Sequence, residues 1–109
     1  MFVYCTYLKS ADLSSFNSTN VNNMCAMFNM CSSLESINLS SLNTTKVKDM
    51  GFMFADCSSL KSLDLSSFNT TNVNKIWDMF YGCSSLKKEN VKISKNGEKI
   101  MDEIKKYLK

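Results

Sequence analysis

MFADCSSLKSLDLSSF, residues 53–68, has two siblings in the same chain: MFNMCSSLESINLSSL from Met27 and MFYGCSSLKKENVKIS from Met79, placed at equal intervals on either side of it. A cysteine followed by two serines invites a reading as nucleophile or metal ligand. Recurrence at a fixed interval argues instead that Cys57 is one rung of a repeated architecture, since self-similarity at a period of roughly 20 to 50 residues marks units that stack on one another.

Alignment at that interval places like on like: Met1, Met27, Met53 and Met79; Phe2, Phe28, Phe54 and Phe80; Cys5, Cys31, Cys57 and Cys83; Leu8, Leu34, Leu60 and Leu86; Leu13, Leu39, Leu65 and Val91; Val21, Val47 and Val73. A partial unit (1–12) precedes three full ones (13–38, 39–64 and 65–90), and a tail (92–109) follows a repeat region spanning 1–91. Together with an L-x-x-L-x-L core, the period predicts an α/β repeat fold. The expected form is a leucine-rich-repeat-like solenoid with short parallel strands on one side, helical arcs on the other and a C-terminal capping helix.

Within a unit the hydrophobic period changes. Leu63-Asp64-Leu65-Ser66 alternates, as a strand does when one face is buried and the other wet. Apolar residues at 73, 76, 79, 80 and 83 have helical spacing and predict a short helix or helical turn, with Thr70, Thr71 and Asn72, and Thr44 and Thr45 one unit earlier, ahead of it as N-caps. The outward strand residues are Ser36, Asn38 and Ser40, then Ser62, Asp64 and Ser66, then Lys88, Asn90 and Lys92. They form the candidate concave binding face, small and polar, without the aromatic or Arg anchors that concentrate binding energy.

In the tail, Ile100, Met101, Ile104, Tyr107 and Leu108 form one stripe of an amphipathic helix that caps the last unit, with Ser94 or Asn96 as its N-cap and Lys105, Lys106 and Lys109 at its end. The charge is uneven. Residues 1–86 hold five lysines against six acids and residues 87–109 hold eight against four, for a net +3. At the other end Met1 and Phe2 already occupy their columns, so an uncapped edge is expected to expose Met1, Phe2, Cys5, Leu8 and Leu13. The chain is read as the C-terminal piece of a longer array, or as one that self-associates through this edge.

MFADCSSLKSLDLSSFNTTNV resembles the 26-residue repeat of bacterial surface proteins of the Mycoplasma and Listeria lipoprotein type, allied to BspA-like leucine-rich repeats. The resemblance covers residues 1 to about 91 and implies a cell-surface or secreted module for adhesion, binding a protein or glycan, without enzymatic activity. The first residues carry no signal peptide, having neither a basic segment nor an apolar stretch of sufficient length. A fragment or a cytoplasmic form is the alternative localisation.

Histidine and arginine are both absent. The first absence excludes Ser-His-Asp and Cys-His catalysis, and the second removes the side chain best suited to bidentate phosphate or guanine contacts. No nucleic-acid partner is therefore expected, no apolar run is long enough for a membrane span, and no cofactor or metal is called for. The thiol column Cys5, Cys31, Cys57 and Cys83 reads as reduced cysteines filling a gap in the core. A disulfide between stacked neighbours is the alternative, at Cα separations of about 5 Å. Four thiolates in a row cannot surround a tetrahedral ion. Asp12, Asn38 and Asp64 offer one oxygen ligand per unit, too few for calcium.

The triplets Asn17-Ser18-Thr19, Asn43-Thr44-Thr45 and Asn69-Thr70-Thr71 build a hydroxyl ladder expected to satisfy turn backbone. Function thus reads as a non-catalytic protein or glycan interaction module. A structural spacer is the alternative, and an ice-binding hydroxyl face the weaker one.

Overall fold

The computed structural model describes residues 9–13 and 17–109. The expectations placed on Met1, Phe2, Cys5 and Leu8 lie outside the described residues.

Four three-residue strands form where apolar and polar residues alternate: β1 (Ser10–Asp12), β2 (Ser36–Asn38), β3 (Leu63–Leu65) and β4 (Val91–Ile93). Leu63 and Leu65 are buried on either side of exposed Asp64, so β3 shows one face to the core and one to water. The strands pair in parallel, β1 with β2 and β3 with β4. Ser10, Ala11 and Asp12 lie opposite Ser36, Ile37 and Asn38, an offset of one period. Isolated parallel bridges carry the same offset through Asn23, Asp49 and Lys75.

The β3–β4 pair departs from this offset. Leu63, Asp64 and Leu65 face Val91, Lys92 and Ile93, so each partner lies two positions beyond a full period, and Val91 sits opposite Leu63 rather than Leu65. A 3-10 turn at Lys88–Asn90 accommodates the two additional residues. Because side chains alternate with a period of two, a shift of two preserves inside and outside, and Val91 and Ile93 still pack against the core. β4 thereby crosses the 91/92 boundary drawn from the sequence.

The segments expected as helical arcs contain no α-helix. In residues 24–31, 50–57 and 78–83 the chain makes consecutive tight turns, with the amide of Met27 bonded to the carbonyl of Met24, Asn29 to Ala26 and Cys31 to Phe28, each three residues back. Alternate amides leave the segment altogether. Met24, Ala26, Phe28 and Met30 donate to the carbonyls of Asp49, Gly51, Met53 and Ala55 at 2.8–2.9 Å. Met50, Phe52, Phe54 and Asp56 donate likewise to Lys75, Trp77, Met79 and Tyr81 at 2.6–3.0 Å. An α-helix needs every amide for the carbonyl four residues back, and these amides are committed to the neighbouring unit.

The turns require left-handed backbone at two columns: Ala26, Phe52 and Asp78 (φ 57 to 59°), and Met30, Asp56 and Gly82 (φ 61 to 76°). Five of these six residues are not glycine and bear the cost of that conformation, about 1 kcal/mol or more each.

The side chains directed inward by this backbone form one core. Phe28, Phe54 and Phe80 stack with centroids 5.6 and 6.1 Å apart and rings within 8° of parallel. Met27, Met53 and Met79, and Leu34, Leu60 and Leu86, are buried beside them. Leu13, expected on an open edge, is buried and belongs to the same core as Leu39, while its carbonyl accepts from the Ser41 hydroxyl at 3.0 Å.

The buried hydroxyls join units rather than cap helices. Thr44 Oγ1 accepts from the Asn69 amide (2.8 Å) and donates to the Asn69 carbonyl (3.0 Å). Ser18 Oγ accepts from the Asn43 amide (2.7 Å), and Thr70 Oγ1 donates to the Asn96 carbonyl (3.1 Å).

The tail closes on the last unit with α1 (Lys99–Tyr107), which buries Ile100, Ile104 and, just past its end, Leu108. Neither Ser94 nor Asn96 caps it: Glu98 holds the N-cap position without a side-chain bond, Ser94 Oγ faces the Phe68 carbonyl, and the Asn96 carbonyl is engaged by Thr70. Met101, placed in the apolar stripe, is 36% exposed. Buried Glu103 instead accepts from the Met79 amide at 3.3 Å.

Candidate binding face

All nine residues of the candidate face are exposed: Ser36, Asn38 and Ser40; Ser62, Asp64 and Ser66; Lys88, Asn90 and Lys92. The first two triplets sit on or beside β2 and β3. In the third, only Lys92 lies in a strand, directly opposite Asp64, while Lys88 and Asn90 occupy the 3-10 turn before β4.

The face is shaped by its own hydrogen bonds. Asn38 Oδ1 accepts from the Ser40 amide (3.0 Å) and hydroxyl (2.7 Å), and Asp64 Oδ1 accepts from the Ser66 amide (3.0 Å) and hydroxyl (2.5 Å). These are Asx turns that close each strand end. The Ser66 hydroxyl, its amide and the nearby Lys92 ammonium hold the Asp64 carboxyl below its ordinary range. Each Oδ1 spent on a turn leaves the second oxygen of Asp64, or the amide nitrogen of Asn38, as the group facing outward.

Two shallow depressions mark the face. One of about 70 Å³ lies between β2 and β3 against Asn38, Ser40, Asp64 and Ser66. The other, about 280 Å³, is lined by Ser62, Asp64, Asn90 and Lys92 together with Glu89, which the column alignment did not select. Glu89 is brought in by the two-residue shift of the last unit.

Beneath the opposite, turn-bearing side run the thiols. Cys57 Sγ donates to the Phe28 carbonyl and Cys83 Sγ to the Phe54 carbonyl, both at 3.0 Å. Cys31, Cys57 and Cys83 are buried thiols that form no disulfide, Cys25 is an exposed one, and Cys5 lies outside the described residues. Burial pushes the Cys57 thiol far up and the Cys83 thiol to about 12, so neither supplies thiolate near neutrality. Among the described residues, no three Cys, Asp or Glu side chains gather as a metal site.

The sequence reading selected no aromatic residue for a site, yet Trp77 is 66% exposed, Tyr81 54% and Phe52 42%. The signal that marks them is deviation from their columns. Trp77 stands where the other units have Cys25 and Gly51, Phe52 stands between Ala26 and Asp78, and Tyr81 follows Asn29 and Ala55. A large ring in a column otherwise small or polar has no partner in the stack.

A family model described as "Mycoplasma protein of unknown function, DUF285" matches residues 1–107. The chain belongs to the DUF285 family. No curated protein and no solved structure matches it. Among the described residues of this DUF285 chain, no helix is long and apolar enough to cross a membrane.

Proposed function

We propose that this DUF285 chain is a non-catalytic interaction module of a cell-surface protein, built as a leucine-rich-repeat-like solenoid and engaging a protein or glycan partner. The observation that carries the reading is the file of exposed polar side chains over β2, β3 and β4, with Asx turns at Asn38 and Asp64 closing the ends of β2 and β3. Such a surface is rigid before any partner arrives, so little ordering cost falls on binding. The chain contains no histidine, burial holds the Cys57 and Cys83 thiols protonated near neutrality, and the Ser66 hydroxyl and Asp64 carboxylate of the face are engaged with each other in closing an Asx turn. These features favour recognition over catalysis.

The test is the simultaneous change Asn38→Lys, Asp64→Lys and Asn90→Lys on exposed positions, with attachment of carrier cells displaying the protein as the readout. Loss of attachment with unchanged folding supports the binding reading. Retained attachment favours a spacer, for which the direct amide ladder between units speaks, since it gives length without requiring a ligand. The ice-binding alternative loses half its hydroxyls to the interior: Ser18, Thr44 and Thr70 are buried and hydrogen-bonded.

A further inference from the structure

The amide ladder stops at the last unit. In the column of Met30, Asp56 and Gly82, the first two amides donate at one fixed interval, to the carbonyls of Ala55 (2.8 Å) and Tyr81 (2.6 Å). At that interval from Gly82 stands Tyr107, which belongs to α1, and the Gly82 amide donates to no other described residue. The same end of the stack already holds a carboxyl oxygen against one of its amides, where Glu103 Oε1 accepts from Met79. A backbone donor left at the end of a ladder suits an anionic oxygen.

Cys83 and Ser84, the next two residues, line a depression of about 310 Å³ between the last unit and the end of α1, together with Leu86, Lys87, Tyr107 and Lys109. Its lining combines two kinds of surface. Cys83 and Leu86 are buried and Tyr107 is half-buried, its ring set by Tyr81 edge-on at 6.1 Å and by the hydroxyl bond to Asp78. Ser84, Lys87 and Lys109 are exposed, and no acidic side chain lines the depression. The Lys106 ammonium stands over the Tyr107 ring at 5.3 Å and adds a third positive charge. Asp56 lies against Gly82 but belongs to the preceding unit and is not part of the lining.

The surrounding surface has the same sign. All eight lysines of residues 87–109 are exposed, whereas the exposed acids there are Glu89, Glu98 and Asp102, because Glu103 is buried. Such a field draws anions to this end of the molecule. A compact anion with several oxygens and a small apolar body meets every group present: oxygens for the ammoniums, the Ser84 hydroxyl and the Gly82 amide, and a body for Leu86, Cys83 and the Tyr107 ring. A phosphomonoester has that composition.

We infer that this depression binds a phosphomonoester, with Lys87 and Lys109 as counter-charges, Ser84 and the Gly82 amide as donors, and Leu86 and Tyr107 against its apolar body. The site lies apart from the strand face and does not depend on the interaction-module reading.

The experiment titrates the isotope-labelled full chain with inorganic phosphate, phenyl phosphate and benzyl alcohol, following amide resonances by NMR. Saturable shifts centred on Gly82, Ser84 and Tyr107 are expected with phenyl phosphate, weaker binding with inorganic phosphate, and none with benzyl alcohol. Lys87→Gln and Lys109→Gln should each weaken the phenyl phosphate affinity about threefold, as loss of an exposed ion pair does, with unchanged circular dichroism. Lys95 lines a separate depression at the start of the cap, so Lys95→Gln should bind as the parent does, and so should the Asn38, Asp64 and Asn90 triple variant.

Vesicles containing phosphatidic acid separate the two sources of this group. Retention on them that phenyl phosphate reverses and the Lys87 and Lys109 variants weaken makes the source a lipid headgroup; binding of phenyl phosphate without retention makes it a soluble phosphomonoester. Absence of saturable shifts with either phosphate overturns the inference, as do shifts centred away from Gly82 and Ser84 or an equal affinity for benzyl alcohol. A loss as large in Lys95→Gln also overturns it, reducing the effect to general attraction by a positive surface.

Discussion

Cys57 Sγ donates a 3.0 Å hydrogen bond to the carbonyl of Phe28 in the preceding unit. Cys83 does the same to Phe54, so each thiol joins its own unit to the one before it. Cys57→Ala removes both a buried sulfur and one donor to the buried Phe28 carbonyl, which also accepts from the Cys31 amide. Urea unfolding is expected to show a loss of about 1 to 2 kcal/mol, with binding by the folded protein unchanged.

The same burial makes the thiols report on folding. In the native protein Cys25 is expected to react rapidly with a disulfide reagent, whereas Cys31, Cys57 and Cys83 react only on unfolding. After denaturation all five cysteines should titrate. Fewer than five would reveal a disulfide.

Alkaline pH should erode stability through these groups. The Cys83 thiol ionises near 9.0 when unfolded and at about 12 when folded, so the folded state holds the proton more tightly. Its contribution is fully present below the unfolded value and is lost as pH rises from there through the folded one. The urea midpoint is expected to fall over this window, and less steeply in Cys83→Ala than in the parent.

Gly82 has φ +76°, and a Cβ there would collide with Asp56 Oδ1 and lie 3.2 Å from the Asp56 Cα. Gly82→Ala should therefore destabilise by about 2 kcal/mol, from left-handed backbone and displacement of Asp56 together. Phe52→Gly, at φ 57°, relieves the same backbone cost and should leave the thermal midpoint near that of the parent.

Thr44→Val keeps the shape of a buried side chain and deletes both its bonds to Asn69, leaving an amide and a carbonyl without their partner. A loss of about 2 kcal/mol is expected in chemical unfolding, with most of it restored in Thr44→Ser.

The period made the interior legible because side chains that stack on their equivalents must be alike in size and polarity. Phe28, Phe54 and Phe80, with Met27, Met53 and Met79 beside them, and Cys31, Cys57 and Cys83 all face inward. Hydrophobic spacing reports which side chains point inward, however, and says nothing about where an amide donates. Residues 73, 76, 79, 80 and 83 have helical spacing, yet of the equivalent amides in the preceding units those of Met24, Phe28, Met50 and Phe54 reach across to carbonyls of the unit that follows, while those of Met27, Cys31, Met53 and Cys57 bond three residues back.

The shift at Lys92 was hidden for a related reason. A two-residue insertion preserves alternation, so the polar pattern of Lys88, Asn90 and Lys92 is equally compatible with either alignment. Of the candidate face, the exposure of its nine residues was legible. The entry of Glu89 depends on a neighbour that alignment by columns does not supply, whereas the exposed Phe52, Trp77 and Tyr81 are marked by departure from their columns.

The amide ladder also bears on how the chain acquires its structure. The bonds from Met24, Ala26, Phe28 and Met30, and those from Met50, Phe52, Phe54 and Asp56, all close loops of one common length, just under a full period. Every such closure carries a similar entropic cost, and none of these bonds requires distant ends of the chain to meet. Acquisition of order can then advance by accretion from any pair of adjacent units, at a pace set by the period and not by total length. Excision of residues 39–64 as a block would leave the remaining closures the same length, whereas loss of a single residue within the block would put every later rung out of step.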